Sequence, residues 1–401
     1  MSKISCDVLI IGGGVIGISA GIALLEANQN LKVVIAEKEE KLALHASGRN
    51  SGVVHAGFYY SPESLKASFC REGNLEFRKI ARKYNVPFKE VGKVVVSRNA
   101  EEDLRLAELC QRGIANNVEV ELLCADRLHR YEPLAQTFNN FLWSPKTSLS
   151  DPIAFSDALK KIYTSLGGKI YFNSRVQLKD KIGEVYDSTE TYNAKFFINA
   201  AGAHSDDISR SLNVGLEFAM IPFIGSYKST SIRNLPIKRL VYPVPHPVNP
   251  FLGVHLTLTL NGRVKLGPTA MPVFGREQYS LLKGWSYRDI LQIVKGTKSL
   301  VTGDAHDISE IIKSEFAKTR IKNLVEEAES LVPQIRNVLK WDKLRPGIRS
   351  QLVDLKSGKL VQDFIVQTQL NCTHVLNAVS PGWTSSIPFG RYIAEEAMKK
   401  M

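Results

Sequence analysis

At 401 residues, 44% hydrophobic and 23% charged, the chain exceeds what one core usually serves; it reads as a well-packed protein of two domains, which excludes a disordered or repeat-built one. Its formal charge of +12 draws anions of many kinds, yet Lys and Arg are scattered rather than gathered into a tail or basic helix, so no nucleic-acid partner is expected. Five cysteines, with no CxxC pair and no histidine at metal spacing, argue against a metal site and fit a reducing cytoplasm.

The apolar stretch 8–25 follows Lys3 and imitates a signal peptide or anchor. Gly12, Gly13, Gly14, Gly17 and Gly21 break it, and no other run of about 20 apolar residues exists, so the protein is expected to be soluble or only peripheral on the inner face of the cell membrane. Residues 7–11, Asp-Val-Leu-Ile-Ile, instead read as a strand buried on both faces, 18–27 carry helix formers, and 31–36 form a second buried strand. The whole is a βαβ unit of about 30 residues around Gly12-Gly13-Gly14-Val15-Ile16-Gly17. Gly12 permits the tight turn, Gly14 lets amides approach a pyrophosphate, and Gly17 lets the helix lie close on the strand. The helix N-terminus adds about half a positive charge. Glu37 closes the second strand about 20 residues past the last glycine, where a carboxylate accepts the hydroxyls of an adenosine ribose and repels a 2′-phosphate. FAD or NAD is therefore expected, rather than NADP.

Segment 46–57, Ala-Ser-Gly-Arg-Asn-Ser-Gly-Val-Val-His-Ala-Gly, decides between them. An NAD enzyme normally continues with another strand and helix, whereas this small, polar stretch pauses to wrap something long, as an extended FAD requires. Lys38, Ser47, Arg49, Asn50, Ser51 and Gly52 become cofactor-binding candidates, with Arg49 and Ser51 near pyrophosphate or ribityl oxygens. Further on, strands are expected over 91–97, 169–176, 196–200, 218–229, 239–244, 251–259 and 263–266, with a hairpin turn at Leu260-Asn261-Gly262-Arg263. Residues 279–338 turn helical, with 313–331 as a surface helix, and 375–379 read as a last strand before a turn at Ser380-Pro381-Gly382-Trp383 and a helix from Pro388.

The glycine motif, the Ser-Gly-Arg-Asn-Ser-Gly-Val-Val-His segment and Asn199-Ala200-Ala201-Gly202-Ala203-His204-Ser205 together resemble the D-amino-acid oxidase class of FAD-dependent oxidoreductases, over the full length. Tyr242-Pro243-Val244-Pro245, the 251–257 block, 344–349 (Leu-Arg-Pro-Gly-Ile-Arg) and 384–388 (Thr-Ser-Ser-Ile-Pro) are similar to the branch of that class that oxidises L-2-hydroxyglutarate. The resemblance implies an α/β (α+β overall) fold: a Rossmann-like FAD-binding domain from 1–85, 146–214 and 336–401, interleaved with a mostly antiparallel β-sheet substrate domain from 86–145 and 215–335. It also implies FAD contacts at Val176, whose backbone would hold the adenine, at Ala201 and Gly202 near the pyrophosphate, and at Gly347, Gly382, Thr384 and Ser385 near the flavin. Thr384 and Ser385 equally suit a plain helix N-cap.

Oxidising a 2-hydroxy acid needs a flavin facing the Cα hydrogen, a base for the hydroxyl proton and a cation for the carboxylate. Of eight histidines, His55 and His255 lie in segments expected to reach the flavin, and His204 suits the pyrophosphate region. Arg345 and Arg349, flanking Pro346-Gly347, are the expected carboxylate partners, with Lys265 and Tyr59 or Tyr60 secondary. The chain departs from the family at His246 where an Asp is expected, at Leu258 where an Arg is common, and at Gly382-Trp383 where two alanines are usual, which puts the choice of hydroxy acid in question. Three readings remain: a small 2-hydroxy acid as substrate with oxygen or a membrane quinone as acceptor, an amino-acid or N-methyl-amino-acid oxidase, and an RNA-binding flavoprotein suggested by the charge.

Overall fold

The computed structural model describes residues 2–178, 184–187, 190–246, 253–280, 284, 287–302 and 314–401. Its first strand, Ser2–Ile11, is flanked in parallel by Val33–Ala36 and Glu190–Asn199, and the parallel run continues to Lys169–Tyr171 on one side and Cys372–Asn377 on the other. The helix Val15–Ala27 is apolar on nearly every side, as a helix covered on several faces must be. Pro152–Ser165 and Ser386–Met398 cover it: a Cβ on Gly21 would meet the Tyr163 ring at 2.7 Å, and one on Gly390 would meet Ser19 at 2.5 Å. Val8, Ile10, Ile18, Leu24, Ile35, Phe155, Phe196 and Phe389 fill the core between sheet and helices.

A second, eight-stranded sheet runs in the order Asp342–Lys343, Lys228–Ser231, Arg263–Gly267, His255–Leu258, Leu240–Pro243, Lys93–Val96, Asn140–Ser144, Glu121–Cys124. Every neighbouring pair is antiparallel except Leu240–Pro243 with Lys93–Val96. A four-stranded sheet joins Phe218–Gly225 to Gly347–Asp354, so a late stretch of chain pairs with one from the middle. No helix among the described residues is long and apolar enough to cross a membrane.

Several elements differ from the sequence pattern. The strand expected over 218–229 breaks into Phe218–Gly225 and Lys228–Ser231 in different sheets, because Ser226 turns away to bond Thr269 Oγ1 through its amide at 3.2 Å. The strand at 169 ends at Tyr171 rather than 176: Asn173 takes a left-handed φ of 55°, and the amides of Asn173 and Ser174 bond the carbonyls of Glu39 and Glu37. The last helix starts at Ser386, not Pro388, which places the proline inside its first turn. The turn at 260–263 closes as expected, with Gly262 at φ 71°. Phe251, Leu252 and residues 281–283, 285–286 and 303–313 of the expected elements lie outside the described residues.

Candidate active site

The glycine turn is shaped by backbone crowding. Gly12 has φ 106°, and a Cβ there would stand 2.5 Å from the Ala200 carbonyl oxygen; one on Gly17 would stand 2.1 Å from the Gly12 oxygen. The Gly13 amide donates to Glu37 Oε2 at 2.7 Å, the Glu39 amide to Glu37 Oε1 at 3.0 Å, and the Val15 amide to Ser47 Oγ at 3.1 Å. Each Glu37 oxygen keeps a second lone pair, so the carboxylate can still accept a ribose hydroxyl. Gly14 caps the first helix with no side chain, leaving helix amides for an anionic ligand.

From this turn opens a cavity of about 350 Å³, within the size range of ligand sites. Of the expected cofactor residues, Gly14, Val15, Ser47, Arg49, Asn50, Ser51, Gly202, Gly347, Gly382 and Thr384 line it, and so do the expected catalytic residues His55, His255 and Arg349. A Cβ on Gly347 would meet the Arg49 carbonyl oxygen at 2.2 Å and one on Gly382 the Ala378 oxygen at 2.4 Å, so both positions exclude side chains where loops meet at the cavity wall. The lining suits FAD: the helix N-terminus and the Arg49 guanidinium face where phosphates would lie, Glu37 beside the turn can accept a ribose hydroxyl, and a largely apolar remainder suits a ring system.

Other expected residues stand elsewhere. Arg345 is exposed, one residue ahead of the turn from which the chain enters the strand Gly347–Asp354; Arg349 lies inside that strand and is carried to the wall. Val176 lies beyond the shortened strand, packed with Cys6, Leu9, Val34 and Ala36. Gly52, at φ 77°, shapes the loop and accepts the Ser150 amide, and the Ala201 amide bonds Asn199 Oδ1 at 3.3 Å. Lys265 donates to the Ser51 carbonyl at 3.2 Å instead of lining the cavity. Ser385 stands at the N-cap of the last helix but makes no side-chain capping bond, its Oγ buried without a partner among the described residues, while Thr384 Oγ1 accepts the His55 amide at 3.1 Å. Among the departures, Leu258 is buried in the core and His246 is exposed, so neither lines the cavity, whereas Trp383 does, its ring edge-on to Phe77.

Lys38 is drawn into a polar cluster the sequence did not reveal. Its ammonium meets Glu39, His45 Nε2 at 2.7 Å and Glu277 Oε1 at 2.7 Å, while His204 Nε2 meets the same Glu277 oxygen at 2.8 Å. Against the effect of burial, the bonds from His204 and Lys38 hold the Glu277 carboxyl well below the usual carboxylate range, and Asp207 together with Glu277 keeps His204 above its ordinary value. Glu39, His45 and Glu277 could by spacing hold a cation, but the Lys38 ammonium already stands among them. Tyr279 caps the cluster: its hydroxyl lies 2.6 Å from His45 Nδ1, and the Arg49 guanidinium stacks 4.0 Å over its ring. Behind it Arg276, 1% exposed, pairs with Asp206, Asp207 and Asp289. The signal in sequence was the run Arg276-Glu277-Gln278-Tyr279, polar yet between apolar neighbours.

At the catalytic wall, His255 Nδ1 lies 2.9 Å from the Gly253 carbonyl. A carbonyl only accepts, so Nδ1 carries the hydrogen and Nε2 is left with a lone pair. Burial lowers the imidazole to about 3, with Lys93 adding to it and the Gly253 bond opposing; burial likewise drives His55 well below its ordinary value, helped by Lys93 and His255. Both rings are therefore neutral near pH 7. Arg349 donates to Gln351 Oε1 at 2.9 and 3.2 Å, and burial lowers its guanidinium only to about 10, so it stays charged. Glu315 also lines the cavity, but Lys318 at 2.8 Å offsets its charge. The wall thus offers two neutral imidazoles and a fixed guanidinium, suited to taking a proton from an acid held by its carboxylate.

The chain belongs to the FAD dependent oxidoreductase family (DAO), whose pattern matches residues 7–396, and it is an FAD-dependent enzyme. It is 33% identical to L-2-hydroxyglutarate dehydrogenase of Indibacter alkaliphilus, over 98% of this chain and 99% of that one, and 33% identical to the enzyme of the same name from Escherichia coli strain K12, over 97% and 92%. Among solved structures it resembles dithionite-reduced L-α-glycerophosphate oxidase from Mycoplasma pneumoniae with FAD bound, with a TM-score of 0.75 and 25% identity over 98% of this chain and 94% of that one.

Proposed function

We propose that the protein oxidises L-2-hydroxyglutarate, or a close 2-hydroxy acid, to the 2-oxo acid. The observation that carries this reading is the convergence of Arg349, His55 and His255 on the cavity that opens from the glycine turn; the substrate is suggested by the names of the relatives above. FAD, when bound, supplies the two-electron acceptor for the C2 hydride. Arg349 holds a substrate carboxylate through paired charge-assisted bonds, and His255 Nε2 takes the proton of the C2 hydroxyl. Tyr242 and Trp383 wall the cavity and limit the size of the acid it admits. The reading keeps the interleaved division of the chain, with the first, middle and last stretches carrying FAD and the intervening ones walling the substrate.

The test is anaerobic addition of L-2-hydroxyglutarate, smaller 2-hydroxy acids, amino acids and N-methyl amino acids to the FAD-loaded protein, followed through the flavin absorption. Bleaching by L-2-hydroxyglutarate is expected; bleaching by an amino acid alone would replace this reading with the amino-acid oxidase one. Re-oxidation of the bleached protein by oxygen or by quinone-containing membranes then assigns the acceptor, with peripheral membrane contact expected in the second case.

A further inference from the structure

Lys93 is a buried charge that the proposed reaction leaves unused. It begins the strand Lys93–Val96, fully buried along its length, and its ammonium has no hydrogen-bond partner among the described residues. Three rings surround it: Nζ lies 4.0 Å from the centre of Tyr242, 4.9 Å from Tyr59 and 5.5 Å from Phe58. Tyr242 in turn stacks on His255, with ring centres 3.8 Å apart and planes 19° apart. Two groups that both stand over one ring at such distances must occupy opposite faces. Ammonium, phenol and imidazole therefore form one column, and its last member lines the cavity.

A cation buried without a counter-charge is costly, and cation–π contacts offset only part of that cost. The titratable groups around Lys93 are Cys70 on the helix Leu65–Lys83, Tyr59, Tyr242, His55 and His255. Burial pushes the Cys70 thiol and both tyrosines up, so none of them supplies an anion near neutral pH. Among the described residues no anion stands beside Lys93, so an anion that enters the cavity is the counter-charge for which the fold leaves room.

We propose that Lys93 is a positioning residue: acting through the Tyr242 ring, its charge adds to burial in keeping His255 unprotonated, and an anionic substrate that enters the cavity offsets that charge and restores basicity to the imidazole that receives the hydroxyl proton. Only the last step rests on the 2-hydroxy acid reading. Burial lowers Lys93 itself to about 7, so an entering carboxylate raises lysine and histidines together. The device makes the base stronger when a substrate is present.

The experiment titrates the histidines of the FAD-loaded protein by NMR with labelled imidazoles, with and without 2-oxoglutarate, in the wild type, Lys93→Met and Lys93→Arg; His55→Gln and His255→Gln assign the signals. In the wild type, 2-oxoglutarate is expected to raise a histidine titration by about one pH unit or more. Lys93→Met is expected to show a raised titration without ligand, and Lys93→Arg to behave as the wild type. Histidines that titrate alike in Lys93→Met and wild type overturn the proposal, as does a wild type that binds 2-oxoglutarate with no shift. If Lys93→Met fails to fold, Lys93→Gln takes its place in the ligand-free comparison with the wild type. Failure of 2-oxoglutarate to bind instead counts against the substrate reading, and the ligand-free comparison of Lys93→Met with wild type still judges the lysine.

Discussion

Replacing Arg349 with Gln should separate stability from activity. Burial lowers the guanidinium's pKa to about 10, well below that of an exposed arginine, which at about 1.4 kcal/mol per pH unit is at most about 3.5 kcal/mol of cost, reduced by whatever water in the cavity screens. The substitution relieves that cost but strips Gln351 Oε1 of its two donors, worth about 1–3 kcal/mol in a residue 1% exposed. The two nearly cancel. At roughly 1 °C per kcal/mol for a chain of this length, the melting temperature should move by no more than about 2 °C. Activity has no such compensation: two charge-assisted bonds to a carboxylate at about 1.5–3 kcal/mol each predict a fall in kcat/KM of roughly 10²- to 10⁴-fold. Thermal melting and anaerobic flavin reduction on one preparation measure both. A variant that keeps its FAD and melting temperature and reduces the flavin at near wild-type efficiency would refute the assignment of Arg349 to the carboxylate.

Other consequences concern the cofactor and the acid limit. Gly17→Ala sets a Cβ against the Gly12 carbonyl oxygen, originally 2.1 Å from the ideal position, so the purified variant should carry far less flavin per chain than the wild type. Glu37→Gln removes the charge and one of the two acceptors used by the Gly13 and Glu39 amides; FAD affinity by equilibrium titration should weaken about 10- to 100-fold. Burial lowers His255 to about 3 and His374 to about 4, while both titrate near 6.5 in the unfolded chain. As pH falls below about 6.5 the unfolded chain takes up protons that the fold refuses, so stability falls, by about 2 kcal/mol per group at pH 5, and urea midpoints across that range should show it.

What the sequence revealed of the fold follows from where its signals are local. The glycine turn and the buried strands on either side of it are fixed by residues within a few positions of each other, and the structure keeps them. The break in the strand at 226 depends on Thr269, more than forty residues away, and the end of the strand at Tyr171 depends on backbone bonds to residues 37 and 39, so neither is written locally. At the site, His55, His255 and Arg349 were legible because each stands in a distinctive block. Arg345, in the same block as Arg349, was not separable from it until the strand starting at Gly347 showed which of the two is carried inward. Lys93 gave a signal that went unused, a lone charge in an apolar run of β-branched residues. Glu277 and Tyr279 act on a loop more than two hundred residues earlier, which no spacing rule connects.

The most direct test of the central claim is anaerobic single-turnover reduction of the FAD-loaded protein by L-2-hydroxyglutarate carrying hydrogen or deuterium at C2. The account predicts complete bleaching, one 2-oxoglutarate formed per flavin, and slower bleaching with deuterium. A flavin that stays oxidised with this acid, in protein that binds FAD fully, would contradict it.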